Sequence, residues 1–216
     1  MGRSGGRDMD AITALDYAGV SLFAATGALA ASRKQLDIIG FLFLAEVTGI
    51  GGGTVRDLVL GVPVFWVGQP AYILACAATT VVIYFTAHLL ESRYRWLLWF
   101  DAIGLSAYCV IGADKGLAVT GSATIAVVMG MLTGTFGGIL RDVLANEPSV
   151  LLRRDIYVTA ALLGSLAFVG AETAGLGQIG AAGLGFLVAC ATRGSALAFG
   201  WTLPTYRSRP GRDVSR

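Results

Sequence analysis

Two stretches of this chain set a glycine cluster ahead of an arginine–aspartate pair. The first reads Gly49-Ile-Gly-Gly-Gly-Thr-Val-Arg-Asp-Leu-Val-Leu-Gly-Val-Pro63, and the second Gly134-Thr-Phe-Gly-Gly-Ile-Leu-Arg-Asp-Val-Leu-Ala-Asn-Glu-Pro148. In a helix interior, glycine costs about 1 kcal/mol relative to alanine. Gly51, Gly52 and Gly53, and in the second block Gly137 and Gly138, therefore predict a kink or an unwound turn. Carbonyls freed there can face a cation, and the half-helix beyond presents its N-terminus. Arg56 and Asp57 are expected in the first turn of that half-helix, mirrored by Arg141 and Asp142. An alternative is that Gly49/Gly53 and Gly134/Gly138 are Gly-x-x-x-Gly packing faces, with the arginines snorkelling to an interface.

Two more charges fall inside apolar stretches. Glu46 can concentrate cations or carry protons, or it can pair with an intramembrane base. Lys115, beside Asp114, can gate or respond to voltage, or it can snorkel outward. Asp16 and Asp101 each open an apolar stretch and read as helix N-terminal caps.

Other chemistries find little support. His88 is the only histidine, which excludes a histidine-based catalytic or metal cluster. Cys76, Cys109 and Cys190 each stand alone in apolar surroundings and read as small buried hydrophobes. Neither glycine block fits a phosphate-binding loop. The net charge of +2 and the lack of a basic stripe exclude nucleic acid as a partner. No organic cofactor is implied.

The elements that must carry these groups are membrane helices. Of the 216 residues, 55% are hydrophobic and 14% charged, where a soluble domain has about 25% charged; the mean hydropathy is +0.70. About 20 mainly apolar residues cross a bilayer. Seven segments meet that requirement: 12–31, 37–60, 70–90, 97–116, 121–144, 156–172 and 177–199. Ala28-Leu29-Ala30 resembles a signal-peptidase site, but Asp8, Asp10 and Asp16 among the early bases, and the counterpart of segment 1 described below, argue for a retained helix.

Basic residues alternate by side. Arg33 and Lys34, Arg93 and Arg95, and Arg153 and Arg154 follow segments 1, 3 and 5, and Arg207, Arg209, Arg212 and Arg216 lie in the tail. The opposite side has Arg3, Arg7 and Lys115. The positive-inside rule predicts a cytoplasmic C-terminus and an external N-terminus. Trp66, Trp96, Trp99 and Trp201 fall near segment ends, as interfacial anchors do.

An offset of 85 residues relates the two halves without a gap. It pairs Asp16 with Asp101, Gly19 with Gly104, Gly27 with Gly112, Gly49 with Gly134, Tyr72 with Tyr157, and the Arg-Asp pairs with each other. Scattered glycine matches would not also align Arg-Asp and Pro. Residues 1–216 thus read as a single membrane domain. Repeat 1 spans 12–90, repeat 2 spans 97–172, an extra helix 177–199, and a basic cytoplasmic tail 201–216. Three segments per copy is an odd number, so the copies enter the membrane from opposite sides. The expected fold is an all-α integral membrane protein with seven transmembrane helices, an inverted 3+3 repeat plus one C-terminal helix. Such architectures place the functional site between the copies. Charges at depth cost roughly 2.5–3.5 kcal/mol each, which argues for a polar pathway between segments 2 and 5. Glu46 and Lys115 break the symmetry, aligning with Met131 and Ala30.

The twin blocks, the Asp-x-x-Gly starts at Asp16 and Asp101, and Phe65-Trp66 after Pro63 resemble the prokaryotic trimeric intracellular cation channel family, whose domain also carries a glycine-transporter label. The resemblance covers roughly 12–200. It implies a homotrimer in the bacterial inner membrane, each protomer with its own pore lined by kinked segments 2 and 5. Monovalent cations would permeate, potassium chiefly and sodium as well, with no other metal held. Pore-shaping positions would be Gly52, Gly53, Arg56, Asp57, Gly137, Gly138, Arg141 and Asp142, with Gly51 beside them. Lys115 matches the family's basic residue in segment 4, whereas Glu46 departs from an uncharged position.

A cation channel is therefore the first expectation. The alternative is a secondary transporter of a small amino acid such as glycine, with Glu46 as the coupling carboxylate. An intramembrane enzyme stands third, with no nucleophile–base pair to support it.

Overall fold

A computed structural model describes residues 4–90, 92–150 and 156–204, with side chains described from residue 12 onward. Glu91, Arg153, Arg154, Arg3 and the tail arginines lie outside the described residues, as do the side chains of Arg7, Asp8 and Asp10.

The described residues form seven membrane helices: α1 (Ser4–Arg33), α2 (Ile38–Leu60), α3 (Ala71–Thr86), α4 (Arg93–Thr120), α5 (Ala123–Leu144), α6 (Val158–Thr173) and α7 (Gln178–Phe199). Six contain stretches long and apolar enough to cross a bilayer, and α6 is a shorter apolar helix. A single helical turn, Phe65–Gly68, lies between α2 and α3, and a 3-10 turn, Ala87–Leu89, ends α3.

Local chemistry sets the boundaries. Asp37 caps α2 by accepting from the Gly40 amide at 2.7 Å. Gly61, at φ 66°, ends α2 in the left-handed conformation that glycine adopts without strain. Ser122 caps α5 directly after Gly121 closes α4. Asp16 and Asp101 are not caps, because both lie inside their helices, α1 and α4.

Packing repeats with the sequence. In repeat 1, α1, α2 and α3 contact one another; α4, α5 and α6 do the same in repeat 2. Gly27 lies against the backbone at Leu44 and Ala45 and against Thr48, and Gly112 lies likewise against Met129 and Thr133. Small residues allow this approach, which drives association where lipid removes the hydrophobic incentive. The copies meet through α1 against α4 and α2 against α5, while α7 packs on α4 and α6. Val20, Phe23, Ala24 and Ala28 are buried at the centre, which makes the first segment part of the core.

The glycine clusters do not interrupt their helices. Both α2 and α5 run unbroken through them, contrary to the sequence expectation. Each clustered glycine is buried against a neighbour: Gly51 against Leu140, Gly52 against the Thr133 carbonyl, Gly53 against the Phe65 ring, Gly137 against the Thr48 carbonyl, and Gly138 against Tyr157. That close packing offsets the intrinsic cost of helical glycine.

Candidate functional site

Helices α2 and α5 cross where the copies meet. Gly52 faces the Thr133 carbonyl and Gly137 faces the Thr48 carbonyl, so the same pair of contacts occurs twice under the 85-residue offset. Thr48 and Thr133 are buried, and their hydroxyls donate to Leu44 and Met129 carbonyls in their own helices. The helices touch here without an intervening side chain.

One Arg-Asp cluster lies on each side of this crossing. Arg56 and Asp57 fall in the last turn or so of α2 rather than at the start of a half-helix, and Arg141 and Asp142 occupy the same place in α5. Arg56 begins about 6 Å from the helix end at 1.5 Å per residue. All four side chains are buried.

Shared geometry comes first. Arg56 Nε donates to Asp57 Oδ1 at 2.7 Å, and Arg141 Nε to Asp142 Oδ1 at 3.0 Å. The other carboxylate oxygens receive backbone amides, Phe65 N on Asp57 and Val150 N on Asp142, each at 2.9 Å. Each aspartate thereby fastens the returning chain to its helix. A tyrosine at the start of the third helix of each repeat meets an aspartate on the first: Tyr72 OH donates to Asp16 at 2.9 Å and Tyr157 OH to Asp101 at 3.4 Å.

Beyond this the clusters differ. Arg141 donates from all three of its nitrogens: besides Nε, Nη2 donates to Asp142 Oδ1 at 2.8 Å, and Nη1 to Asp101 Oδ1 at 2.7 Å and Thr26 Oγ1 at 3.0 Å. Arg56 has no ion pair with Asp16 among the described residues, and its Nη1 is buried without a hydrogen-bond partner. Lys115 Nζ instead stands 2.8 Å from Asp57 Oδ1. The lysine turns inward and bridges the repeats. Arg-Asp pairs thus form within each copy, and the lysine pair forms across them.

Glu46 is apart from both clusters. It lines a groove of about 310 Å³ with Phe43, Ile50, Thr54, Trp66 and Leu140, and has no ion pair among the described residues; the expected basic partner is not there. Asp114 accepts from Gln178 at 2.9 Å. Cys76 and Cys109 are buried and Cys190 is partly so. Arg193 of α7 is buried, lies 5.2 Å from the Tyr157 ring centroid and donates to the Ile156 carbonyl.

One link had no sequence signal. Arg33, the last residue of α1, pairs with Glu147, after α5, at 2.9 Å, and its guanidinium lies 4.7 Å from the Tyr94 ring centroid. Neither partner has a charged counterpart at the offset. The positions of Asp16, Asp101, Tyr72 and Tyr157 stand out in the sequence because all four align at 85 residues, but their pairing does not, since the aspartates read there as caps.

The family model described as "Glycine transporter" matches this chain twice, over residues 13–88 and 98–173. Both ends of the second match are displaced from the first by the repeat offset. A UPF0126 membrane protein of Vibrio cholerae is 37% identical, the alignment covering 92% of this chain and 84% of that protein. A UPF0126 inner membrane protein of Escherichia coli K12 is 36% identical, over 89% and 94%. Among solved structures, a trimeric intracellular cation channel orthologue from Rhodobacter sphaeroides is 52% identical with a TM-score of 0.86, covering 88% of this chain and 99% of that one. A prokaryotic channel of the same type, solved in 0.5 M KCl, is 25% identical with a TM-score of 0.84, over 90% and 100%.

Proposed function

The chain belongs to the family of prokaryotic trimeric intracellular cation channels, and from that membership we propose that it is a potassium-permeable monovalent cation channel of the bacterial inner membrane, working as a homotrimer with one pathway per protomer. The observation that carries this reading is the crossing of α2 and α5. Two antiparallel helices meet through glycine and threonine backbone, with a buried ion-pair cluster on either side of the contact. Ions would pass between the helices when they part, along Gly51, Gly52, Gly53, Arg56 and Asp57 from one side and Gly137, Gly138, Arg141 and Asp142 from the other. Backbone and threonine oxygens supply the cation ligands. The aspartates neutralise arginines that would otherwise repel cations, which favours potassium and sodium alike over a sharply selective filter. Lys115 is the gating residue, bound to the pathway's own Asp57, and Glu46 modulates from the side. The N-terminus faces outward and the C-terminus the cytoplasm, in keeping with the placement of Arg33, Lys34, Arg93 and Arg95.

The description of the family model favours a second reading, transport of a small amino acid such as glycine. Purified protein in a planar bilayer separates the two. Unitary currents reversing near the potassium equilibrium potential are the expected result. Saturable glycine uptake without unitary currents would overturn the channel reading.

A further inference from the structure

The duplication gives each side chain of one cluster a reference in the other. Arg141 and Arg56 are equivalent, as are Asp101 and Asp16, and both aspartates are held by the equivalent tyrosine. Yet Arg141 Nη1 reaches Asp101 at 2.7 Å, while no ion pair joins Arg56 to Asp16 among the described residues and Arg56 Nη1 is buried with nothing to donate to. A buried guanidinium N–H without an acceptor is costly.

The difference follows from two positions where the copies diverge. Lys115 has Ala30 as its counterpart, and Thr26 has Ile111. Lys115 Nζ makes with Asp57 Oδ1 the contact that Nη2 of Arg141 makes with Asp142 Oδ1, both at 2.8 Å. With that oxygen shared, Arg56 keeps, among the described residues, only its Nε hydrogen bond to Asp57. Asp16 is meanwhile positioned by Tyr72, which stacks on Tyr17 with centroids 4.2 Å apart. Arg56 and Lys115 both lie near enough to act on it electrostatically.

We propose that Asp16 is the acceptor to which Arg56 turns when Lys115 leaves Asp57, so that the first repeat then adopts the arrangement its duplicate already shows. Lys115 holds the Arg56 cluster out of this state. The Arg141 cluster has no such competitor and is tied further by Thr26, so it stays closed. One cluster is a switch and the other a fixed point, and Asp16 is a positioning residue for the switch. This rests on the channel reading for its physiological meaning, but the pairing itself is testable without currents.

The test is a structure of the full-length Lys115→Met protein in lipid nanodiscs, together with a thermal-stability cycle over Lys115→Met and Asp16→Asn. The expected structure has Arg56 hydrogen-bonded to Asp16, as Arg141 is to Asp101. In the cycle, Asp16→Asn should lower the melting temperature roughly twice as much or more in the Lys115→Met background as in the wild type, since only there is its partner engaged. An Arg56 that stays on Asp57 alone, or equal effects of Asp16→Asn in both backgrounds, would overturn the proposal. If Lys115→Met does not fold, Lys115→Gln serves the same two measurements. Absent currents with an intact cycle sink the channel reading and leave the switch standing; currents with a null cycle do the reverse.

Discussion

Lys115 and Asp57 form an ion pair, 2.8 Å apart, between the second repeat and the first. The lysine is about one-third exposed and the carboxylate fully buried, so the charge that can move is the lysine. Arg56 still neutralises Asp57 when Lys115 is gone. Lys115→Met should therefore fold and change how often the pathway opens more than how much it conducts. Single-channel recording is expected to give an open probability altered several-fold, with voltage dependence reduced and unitary conductance near wild type. Unchanged gating would assign Lys115 a purely structural role.

The two arginines should differ in their tolerance of removal. Arg141 is ion-paired with both Asp101 and Asp142 and donates to Thr26. Arg141→Ala leaves two buried carboxylates without that cation, and breaking a buried pair from one side costs about 3–5 kcal/mol. Arg56→Ala leaves Asp57 paired with Lys115 and should cost visibly less. Thermal unfolding of the purified variants is expected to rank Arg141→Ala well below Arg56→Ala. The reverse order would contradict the charge assignment.

Arg33 and Glu147 tie the α1–α2 turn to the segment after α5 at a water-exposed end, with Arg33 about 31% and Glu147 about 10% exposed. Exposed pairs contribute roughly 0–1 kcal/mol and are screened by salt. Glu147→Gln is expected to lower the melting temperature slightly in low salt and not at all in high salt. A deficit that persists in high salt would mean that Glu147 acts through packing instead.

Much of this arrangement was readable from spacing alone. Apolar length located the seven helices, and the 85-residue offset located the inverted pairing and the Arg-Asp pairs, because a duplicated motif preserves residue type wherever both copies need it. What failed was local. Gly51, Gly52 and Gly53 predict a broken helix on intrinsic propensity, yet tertiary contacts from Thr133, Leu140 and Phe65 keep α2 continuous. Asp16 and Asp101 predict caps, yet each helix begins two or more turns earlier and the carboxylates serve as side-chain acceptors. Lys115 turns inward because a buried carboxylate from the other repeat is within reach, and only the folded chain brings the two together. Arg33–Glu147 joins positions 114 residues apart, and neither belongs to the repeat pattern.

The crossing of α2 and α5 supplies the most direct test of where ions pass. A methyl group at Gly137 would run into the Thr48 carbonyl, and one at Gly52 into that of Thr133. Both obstacles are backbone atoms, which cannot rotate aside as a side chain can. Gly137→Ala must therefore push the helices apart, whereas Gly51→Ala meets only the flexible end of Leu140. If conduction requires α2 and α5 to separate, the wedge at Gly137 favours the separated state. Its basal potassium flux in liposomes should rise several-fold while its melting temperature falls, and Gly51→Ala should change both much less. A Gly137→Ala protein that is folded, less stable and no more conductive would place the ion route elsewhere, since the helices would have been parted without opening a path.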